Sequence, residues 1–270
     1  MKIGYFGEPG AYSHIAAIQM ATGEYVSLES VRAVFMSLEN GKISLAVVPV
    51  ENSIEGAVNQ TYDFLFRMNF YIIKEYYLRI KHCLIGHAGA KTDNITHVHS
   101  HPQALSQCSD FIYNHGMKPV SEYDTAGSVQ IIKENYGLSH AAIASEIAAN
   151  LNGMDILEKD IENNRHSYTR FFLIAKTPVK VSVPSKTSIV FSTKNKPGAL
   201  YKILKILNDY GINMTKIESR PVQYTPFQYI FFIDIENNKN TDAAIADIQK
   251  SVEQFKILGT YETAYINDED

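Results

Sequence analysis

Short apolar runs alternate with helical patterns along the first two thirds of the chain. The run Lys2–Phe6 precedes residues 11–21, whose apolar side chains recur at helical spacing, and residues 44–50 form a second apolar run. Further strands are predicted at residues 95–99, 118–121 and 141–144, each followed by a helical pattern. Because strands that alternate with helices build layered sheets, the pattern predicts α/β layers with mostly parallel strands.

An extended segment at residues 71–83 interrupts this alternation. We therefore expect two α/β lobes joined by crossing strands, and a cleft between lobes is a common ligand site. After a strong strand at residues 170–176, two prolines and small polar residues indicate a linker over residues 177–186. The predicted domains are residues 1–180, which hold both lobes, and residues 187–270.

Residues 187–270 carry a compact pattern of four strands and two helices in the order βαββαβ. This order is the ferredoxin-like supersecondary unit. The elements are predicted at residues 187–193, 198–210, 212–221, 227–236, 241–254 and 255–265.

Composition and charge narrow the class of protein. The 270 residues are 45% hydrophobic, and their net charge of −4 argues against a nucleic-acid-binding protein that neutralises many phosphates. No apolar run approaches the roughly 20 residues that span a bilayer, and the N-terminus has no signal-peptide pattern. Cys83 and Cys108 fit neither a disulfide framework nor a zinc motif. We expect a soluble cytoplasmic protein, with the acidic run at residues 268–270 as a solvated tail.

Four junctions share one design, in which a strand ends and small or polar residues lead into a helix. Free N–H groups at a helix start bind anions, and the carboxyl ends of strands face the ligand crevice of open α/β sheets. Four such starts around one cleft would suit a small ligand with more than one carboxylate. Capping explains each junction taken alone, since Ser100 with Gln103 forms a capping box and Asp124 or Thr125 is an ordinary N-cap. The junctions are residues 7–13, 51–56, 100–103 and 124–128.

Polar residues at two strand ends are candidates for ligand contact. Glu51, Asn52 and Ser53 follow a very apolar strand, where a polar loop is the plain alternative to ligand-facing amide and hydroxyl groups. Thr169 and Arg170 stand at the entrance of an apolar strand. An arginine buried there needs an anionic partner, which is either an intramolecular carboxylate or a substrate carboxylate held in a bidentate fork.

Metal and phosphate chemistry have little support in the sequence. His97, His99 and His101 alternate, but no Cys, Asp or Glu nearby completes a ligand set, so no metal is expected. The chain has no GxGxxG motif, no phosphate-loop lysine motif and no GxSxG elbow. In the C-terminal pattern, the helix start at residues 195–200 can hold a carboxylate, with ordinary turn chemistry as the alternative.

Six motifs in order give the chain a resemblance to the prephenate dehydratase family. They are GEPGAYSH from residue 7, VPVENSIEGAV from residue 48, SHPQALSQC from residue 100, DTAGS from residue 124, AAIAS from residue 141 and TRF from residue 169. The C-terminal residues resemble an ACT regulatory domain, with GAL at residues 198–200 and ESRP at residues 218–221. One departure is Ser167, which stands where the family usually has asparagine.

The resemblance implies a cofactor-free lyase that converts prephenate to phenylpyruvate. It implies an α/β fold with a bilobed catalytic domain like type II periplasmic binding proteins and a ferredoxin-like ACT domain. L-phenylalanine is expected to bind between ACT domains of a homodimer or homotetramer and to inhibit the enzyme. The resemblance makes Thr169 the catalytic residue, as a proton donor or a hydrogen-bond donor. Because a threonine hydroxyl is a weak acid, either the leaving group takes its proton late or neighbours such as Ser53 or Thr125 take part. The implied substrate-binding residues are Arg170, Asn52, Glu51, Ser100, His101, Gln103, Ala126 and Phe171. The implied allosteric residues are Asn195, Pro197, Gly198, Ala199, Leu200, Glu218, Ser219 and Arg220.

Charge changes during such a reaction constrain the placement of Arg170. The ring carboxylate loses its charge as CO2 departs, so strong pairing to an arginine would stabilise the ground state more than the transition state. We therefore assign Arg170 to the pyruvyl carboxylate and leave the ring carboxylate to weaker donors or an apolar wall. Two other interpretations stay open: an enzyme acting on arogenate, and a non-catalytic amino-acid sensor built from a bilobed binding domain and an ACT domain.

Overall fold

Three β-sheets flanked by helices organise the computed structural model, which describes residues 1–221 and 228–266. The first lobe opens with β1 (Lys2–Phe6), α1 (Tyr12–Met20), β2 (Glu24–Leu28), α2 (Val31–Glu39), β3 (Leu45–Asn52), β4 (Gly56–Ala57), α3 (Asn59–Arg67) and β5 (Tyr71–Arg79). The second lobe contains β6 (Cys83–Gly86), a 3-10 turn (Thr92–Asn94), β7 (His97–Ser100), α4 (Pro102–Gln107), α5 (Ser109–Asn114), β8 (Lys118–Ser121), α6 (Gly127–Asn135), β9 (His140–Ala144), α7 (Glu146–Asn152) and β10 (Asp155–Glu158). The chain returns to the first lobe as β11 (Tyr168–Ala175). The C-terminal unit then holds β12 (Lys186–Ser192), α8 (Ala199–Asp209), β13 (Met214–Pro221), β14 (Tyr229–Glu236), α9 (Thr241–Ser251) and β15 (Gln254–Tyr261).

The two lobes are joined by two crossings of the chain, one after β5 and one before β11. In the first lobe the strand order is β2-β1-β3-β11-β5, with β1, β2 and β3 parallel and β11 antiparallel to both its neighbours. In the second lobe the order is β10-β6-β9-β7-β8, and β7 runs parallel to β8 and β9. The prediction of an α/β fold with two lobes joined by crossing strands is therefore confirmed.

Some element predictions differ from the structure. The segment at residues 71–83 is not one extended strand: β5 ends at Arg79, residues 80–82 carry the chain to the other lobe, and β6 begins at Cys83. Both lobes have mixed sheets where mostly parallel strands were expected, since β6, β10 and β11 run antiparallel to their neighbours. Five elements were not predicted from the sequence: β2, α2, β4, α3 and β10. One of them has a local signal, since Ser30 accepts a hydrogen bond from the backbone N–H of Ala33 as the N-cap of α2.

The C-terminal unit has the predicted βαββαβ order in one antiparallel sheet. Its strand order is β13-β14-β12-β15, and α8 and α9 pack on one face of the sheet. Phe227, which begins the predicted strand at residues 227–236, and the acidic run at residues 268–270 lie outside the described residues.

The other face of that sheet packs on the first lobe and forms one shared apolar core. Tyr261 contacts Phe172 with ring centroids 5.9 Å apart, and Phe232 contacts Tyr62 at 4.8 Å. All four side chains are buried. The C-terminal unit is thus joined to the first lobe by packed side chains as well as by the connecting segment, which brings its sheet close to the strands β3 and β11.

Candidate active site

A cleft lies between the two lobes and has a volume of about 280 Å³. The first lobe lines it with the ends of β1 and β3, the start of α1 and the start of the antiparallel β11. The second lobe adds α4 and the turn before α6. Of the residues that the sequence analysis selected, the cleft brings together Asn52, Gln103, Thr125, Thr169 and Phe171.

Thr169 and Asn52 form a hydrogen-bonded pair in the cleft wall. They are register partners on β11 and β3, and Nδ2 of Asn52 donates to Oγ1 of Thr169 over 3.0 Å. The Asn52 Oδ1 accepts from the backbone N–H groups of Ile54 (2.9 Å) and Glu55 (3.1 Å). These two donors fix the amide with its NH2 group toward Thr169. Because the Thr169 oxygen accepts that bond, its hydroxyl hydrogen is available to donate into the cleft.

The start of α1 brings backbone N–H groups to the same cleft. Gly7, Ala11 and Ser13 line the cavity, and the N-cap residue Ala11 offers no side-chain acceptor to the first turn. The first N–H groups of a helix have no partner within the helix, and the helix dipole makes that end positive. This junction can therefore bind a carboxylate without a charged side chain.

A hydrogen-bonded group of three cleft residues was not selected from the sequence as site residues: Tyr12, His82 and Gln107. His82 is buried, its Nε2 lies 2.9 Å from Oε1 of Gln107, and its Nδ1 lies 2.8 Å from the hydroxyl of Tyr12. The Tyr12 hydroxyl in turn donates to the carbonyl of Lys81 over 2.7 Å. Burial lowers the pKa of His82, which favours its neutral form. Tyr12 lies in the junction at residues 7–13 and Gln107 in the motif that begins at residue 100, but no local pattern shows that both side chains meet His82, which comes from a lobe crossing.

Six predicted site residues do not line the cleft; for Ser53, Ser100, His101 and Ala126, contact with the substrate stays a prediction. Ser100 is buried and donates to the carbonyl of Ile143 over 2.7 Å. The N-cap of α4 is His101, whose Nδ1 accepts from the Gln103 backbone N–H, so Ser100 is not the cap. Ala126 packs in the core of the second lobe. Ser53 holds the loop after β3 to β11, since its hydroxyl donates to the carbonyl of His166 and accepts from the Tyr168 N–H.

Arg170 does not face the cleft, and its assignment to a substrate carboxylate is wrong. Successive residues of a strand point to opposite faces, so Thr169 in the cleft turns Arg170 to the far side of β11. There its guanidinium is 3% exposed. Its Nη1 donates to Asp234 over 2.5 Å, and its Nε and Nη2 both donate to Oε2 of Glu75. The intramolecular partner, which was the alternative interpretation, is the one observed.

Glu51 likewise turns away from the cleft. It is the register partner of Arg170, and its carboxylate lies 2.7 Å from the Nζ of Lys216 on β13. The last two residues of β3 thus face opposite ways, with Asn52 in the cleft and Glu51 toward the C-terminal unit.

The histidines form no metal site within residues 1–221 and 228–266, where no group of three or more His, Cys, Asp or Glu side chains is arranged to hold a metal ion. His99 instead lies between Glu122 and His140, with both ring nitrogens at hydrogen-bond distance (2.9 Å).

Within residues 1–221 and 228–266, none of the helices has the length and the apolar character that a membrane span requires.

A second, smaller cavity of about 120 Å³ lies at the start of α8 in the C-terminal unit. Asn195, Ala199 and Leu200 line it together with Tyr229 and Phe231. Gly198 is the N-cap of α8 and has a φ of +80°, a conformation that favours glycine.

The other predicted allosteric residues lie outside this small cavity. Neither Pro197 nor Gly198 is among its lining residues. Glu218, Ser219 and Arg220 lie on β13, and an Arg220 guanidinium nitrogen is 3.7 Å from Asp63 on α3. The predicted place of Glu218 and Ser219 across a dimer interface stays a prediction.

Fold and cleft together define a class: a two-lobed α/β domain with a cleft between its lobes, joined to a ferredoxin-like unit with a cavity of its own. Within that class, the prephenate dehydratase family profile matches residues 3–179, and the ACT domain profile matches residues 187–253. The chain belongs to the prephenate dehydratase family and carries an ACT domain.

Relatives across nearly the whole chain support this assignment. The arogenate dehydratase/prephenate dehydratase 1 of Arabidopsis thaliana is 37% identical, covering 97% of this chain and 72% of the relative. A prephenate dehydratase from Arthrobacter aurescens, solved in complex with L-Phe, superposes with a TM-score of 0.89 at 26% identity, covering 97% of this chain and 90% of that one. A structure described as a novel type of quorum-quenching acylase superposes with a TM-score of 0.90 at 31% identity, covering 98% of both chains.

Proposed function

We propose that this chain catalyses the decarboxylating dehydration of prephenate to phenylpyruvate. The observation that carries the proposal is the Asn52–Thr169 pair, which presents a hydroxyl hydrogen to the cleft. Loss of CO2 and water from prephenate leaves an aromatic ring, so the reaction requires orientation of the substrate and protonation of the departing hydroxyl. Thr169 donates a hydrogen bond to the departing hydroxyl of the substrate, and Asn52 holds the Thr169 oxygen in place.

The charge of the cleft fits a substrate that loses a carboxylate. Among the described residues, no lysine or arginine lines the cleft. A cation close to the ring carboxylate would stabilise the substrate more than the transition state, in which that charge is leaving. The uncapped start of α1 supplies a weaker, dipolar site for the pyruvyl carboxylate in place of Arg170. Thr125 and Gln103 add neutral groups from the second lobe, which also contributes one carboxylate, Asp124, whose Oδ1 accepts from the backbone N–H of Gly127 over 2.7 Å.

The experiment is an assay of the purified full chain with prephenate and with arogenate in parallel. Formation of phenylpyruvate, followed by its absorbance, supports the proposal. Formation of phenylalanine from arogenate with no reaction of prephenate would replace it with the closely related arogenate dehydratase activity. Binding of either compound without any aromatic product would favour a non-catalytic sensor.

Regulation by L-phenylalanine is the second part of the proposal. The cavity at the start of α8 combines backbone N–H groups with the rings of Tyr229 and Phe231, which suits an amino-acid carboxylate and an aromatic side chain. The Arthrobacter aurescens relative was solved with L-Phe bound, which supports a ligand of this kind. We infer that the chain forms a homodimer or homotetramer in the cytoplasm, and that L-phenylalanine inhibits it.

Calorimetric titration of the full chain with L-phenylalanine tests the regulatory part, with light scattering to measure the oligomeric state. We expect binding, inhibition of turnover and a mass of two or four chains. A monomer that binds no L-phenylalanine would contradict the regulatory proposal and leave the catalytic one standing.

A further inference from the structure

The ACT domain contacts the back of the two strands that hold the catalytic pair. Thr169 pairs with Asn52 in the register of β11 and β3, and the next pair is Arg170 with Glu51. Because side chains alternate along strands, the first pair faces the cleft and the second faces the ACT domain. Each member of the second pair forms an ion pair there with a residue of the ACT domain: Arg170 with Asp234, and Glu51 with Lys216.

The contact at Arg170 is a buried network of charges. Its guanidinium bridges Glu75 on β5 and Asp234 on β14, and its Nη2 lies 3.2 Å from the hydroxyl of Tyr261. Lys186 binds the second oxygen of Glu75 at 2.6 Å. Burial opposes the charge of Arg170, but the neighbouring Asp234, Tyr261 and Glu75 raise its pKa well above the ordinary value. Such a network holds β11 in one position, because a buried charge that moves away from its partner is left uncompensated.

The contact at Glu51 involves Lys216, which lies close in sequence to the ESRP motif at residues 218–221. The Lys216 side chain is 10% exposed, and its ammonium lies 2.7 Å from Glu51 and 5.6 Å from the ring centroid of Tyr62. Lys216 stands on β13 two residues before Glu218, the first residue of the ESRP motif. Glu51 directly precedes Asn52, whose amide holds the Thr169 hydroxyl.

We propose that Arg170 and Glu51 are positioning residues, through which Asp234 and Lys216 of the ACT domain set the geometry of the Thr169–Asn52 pair. A shift of the ACT sheet displaces Arg170 and Glu51 together, and these are the chain neighbours of Thr169 and Asn52. The second half of the inference rests on the proposed regulation: L-phenylalanine inhibits by biasing β13, and the Lys216–Glu51 contact transmits that bias. Both halves concern the same two strands and are tested separately.

The first test compares Asp234→Asn with Asp247→Asn. Asparagine keeps an acceptor for the Ser188 hydroxyl, which Oδ1 of Asp234 binds at 2.5 Å, but it removes the charge that holds Arg170. Asp247 pairs with Lys250 on the outer helix α9, so its variant neutralises an ACT aspartate away from the interface. We expect Asp234→Asn to lower kcat by about ten-fold with KM within about two-fold, because a misplaced donor slows chemistry rather than binding. We expect Asp247→Asn to match the wild type.

A double-mutant cycle distinguishes positioning of Thr169 from general loss of stability. In a Thr169→Ala background there is no hydroxyl to position, so Asp234→Asn should change kcat by less than about two-fold. An equal fall in both backgrounds, or an unchanged kcat accompanied by a lower Tm, would overturn the proposal. Should Asp234→Asn not fold, the partly exposed Lys216→Gln carries the same kcat comparison and the same cycle.

The second test uses Lys216→Gln, with Lys205→Gln as its control. Lys205 forms an exposed ion pair of 2.6 Å with Asp209 on α8 and does not contact the catalytic lobes. Lys216→Gln should bind L-phenylalanine with a Kd within about three-fold of the wild type, while maximal inhibition at saturation falls by at least half. Unchanged maximal inhibition would overturn the transmission step. If the wild type binds no L-phenylalanine, the regulatory proposal fails. The kcat comparison with Asp234→Asn then still tests whether Arg170 positions Thr169.

Discussion

At the scale of single residues, the hydroxyl of Thr169 is the group on which the proposed chemistry depends. Thr169→Ala should lower kcat by about 10²-fold, the usual effect of removing one preorganised donor. The KM for prephenate should change little, because Asn52 and the start of α1 stay in place. Steady-state kinetics measures both parameters. Thr169→Ser, which keeps a hydroxyl, is the matched control and should keep most of the activity; an alanine variant within a few-fold of wild type would exclude Thr169 as the donor.

Arg170 shows what the sequence can and cannot predict about a single side chain. Thr169 and Arg170 are adjacent on a strand, and the two-residue period alone places them on opposite faces. The sequence therefore contained the reason why both could not line the cleft. It contained no local signal for the partner, since Asp234 lies 64 positions further along the chain in another domain. Docking between distant segments, unlike strand alternation, has no short-range pattern.

His82 gives a residue-scale prediction on stability and pH. Burial lowers the pKa of His82, while the unfolded chain takes up this proton near pH 6.5. The unfolded state then binds more protons, so the free energy of unfolding falls as the pH drops below about 6.5, until the folded pKa is reached. His82→Gln removes this contribution and should make the loss of stability between pH 7 and 5 smaller.

Urea unfolding at several pH values measures that difference. His14 and His140 also have lowered pKa values because of burial, so the wild-type curve keeps part of its slope and the comparison is between variants. Replacement of the exposed His166 by Gln is the control. Identical pH dependence for wild type and His82→Gln would show that His82 is protonated equally in both states.

At the scale of elements, the junctions between strands and helices were the most predictable part of the site. Turn and cap residues are local, so the sequence identified the loops after β1 and β3 and the turn before α6. It missed the contribution of the crossing at residues 80–82, which brings His82 into the cleft, because that segment looked like the continuation of a strand. Which junction residues face the cleft depends on how the lobes close, and local pattern does not encode that closure.

Gly10 is the element-scale position where the lobes come into contact. Its φ is +94°, and a Cβ there would lie 2.7 Å from the Cα of Ala148 on α7. Ser145 also donates its hydroxyl to the carbonyl of Gly10 over 2.6 Å. Gly10→Ala should therefore push the second lobe away from the α1 junction, raise KM for prephenate and lower the free energy of unfolding.

Gly41→Ala separates this clash from backbone strain. Gly41 also has a positive φ, +69°, but nothing lies within 4 Å of the place that an alanine methyl group would take, so alanine there costs only the roughly 1–2 kcal/mol of a left-handed residue. Gly10→Ala should cost about 1–3 kcal/mol more, because overpacking adds to strain. Equal unfolding free energies and equal KM values for the two variants would mean that the lobes tolerate the methyl group.

At the scale of the whole molecule, the ACT domain and the first lobe share one apolar core. The ACT sheet closes the core of the first lobe, with Phe232 and Tyr261 packed on Tyr62 and Phe172. Gly259 on β15 approaches β5 so closely that a Cβ would lie 2.1 Å from the carbonyl oxygen of Ile72. The βαββαβ order predicted the domain's fold from sequence, but a periodic pattern does not say which face meets another domain.

This shared core predicts that the catalytic lobes do not fold without the ACT domain. A chain ending at residue 180 would expose Tyr62 and Phe172, because Phe232 and Tyr261 of the ACT domain cover them. Burial of one large apolar side chain contributes about 1.5–3 kcal/mol, so exposure of two removes a large part of an ordinary domain's stability. We expect the shortened chain to be insoluble or to bind a hydrophobic dye, and to lack cooperative unfolding by circular dichroism.

Gly259→Ala in the full chain tests the same contact without removing any segment. Because Ile72 cannot yield its backbone position cheaply, this variant should unfold at a lower temperature, with the first lobe and the ACT domain still melting together. Differential scanning calorimetry resolves the transitions. Two outcomes would show that the domains are independent and that the buried contacts around Arg170 do not bind them into one unit. One is a shortened chain that unfolds cooperatively and turns over prephenate like the full chain. The other is a Gly259→Ala variant in which the ACT domain melts alone.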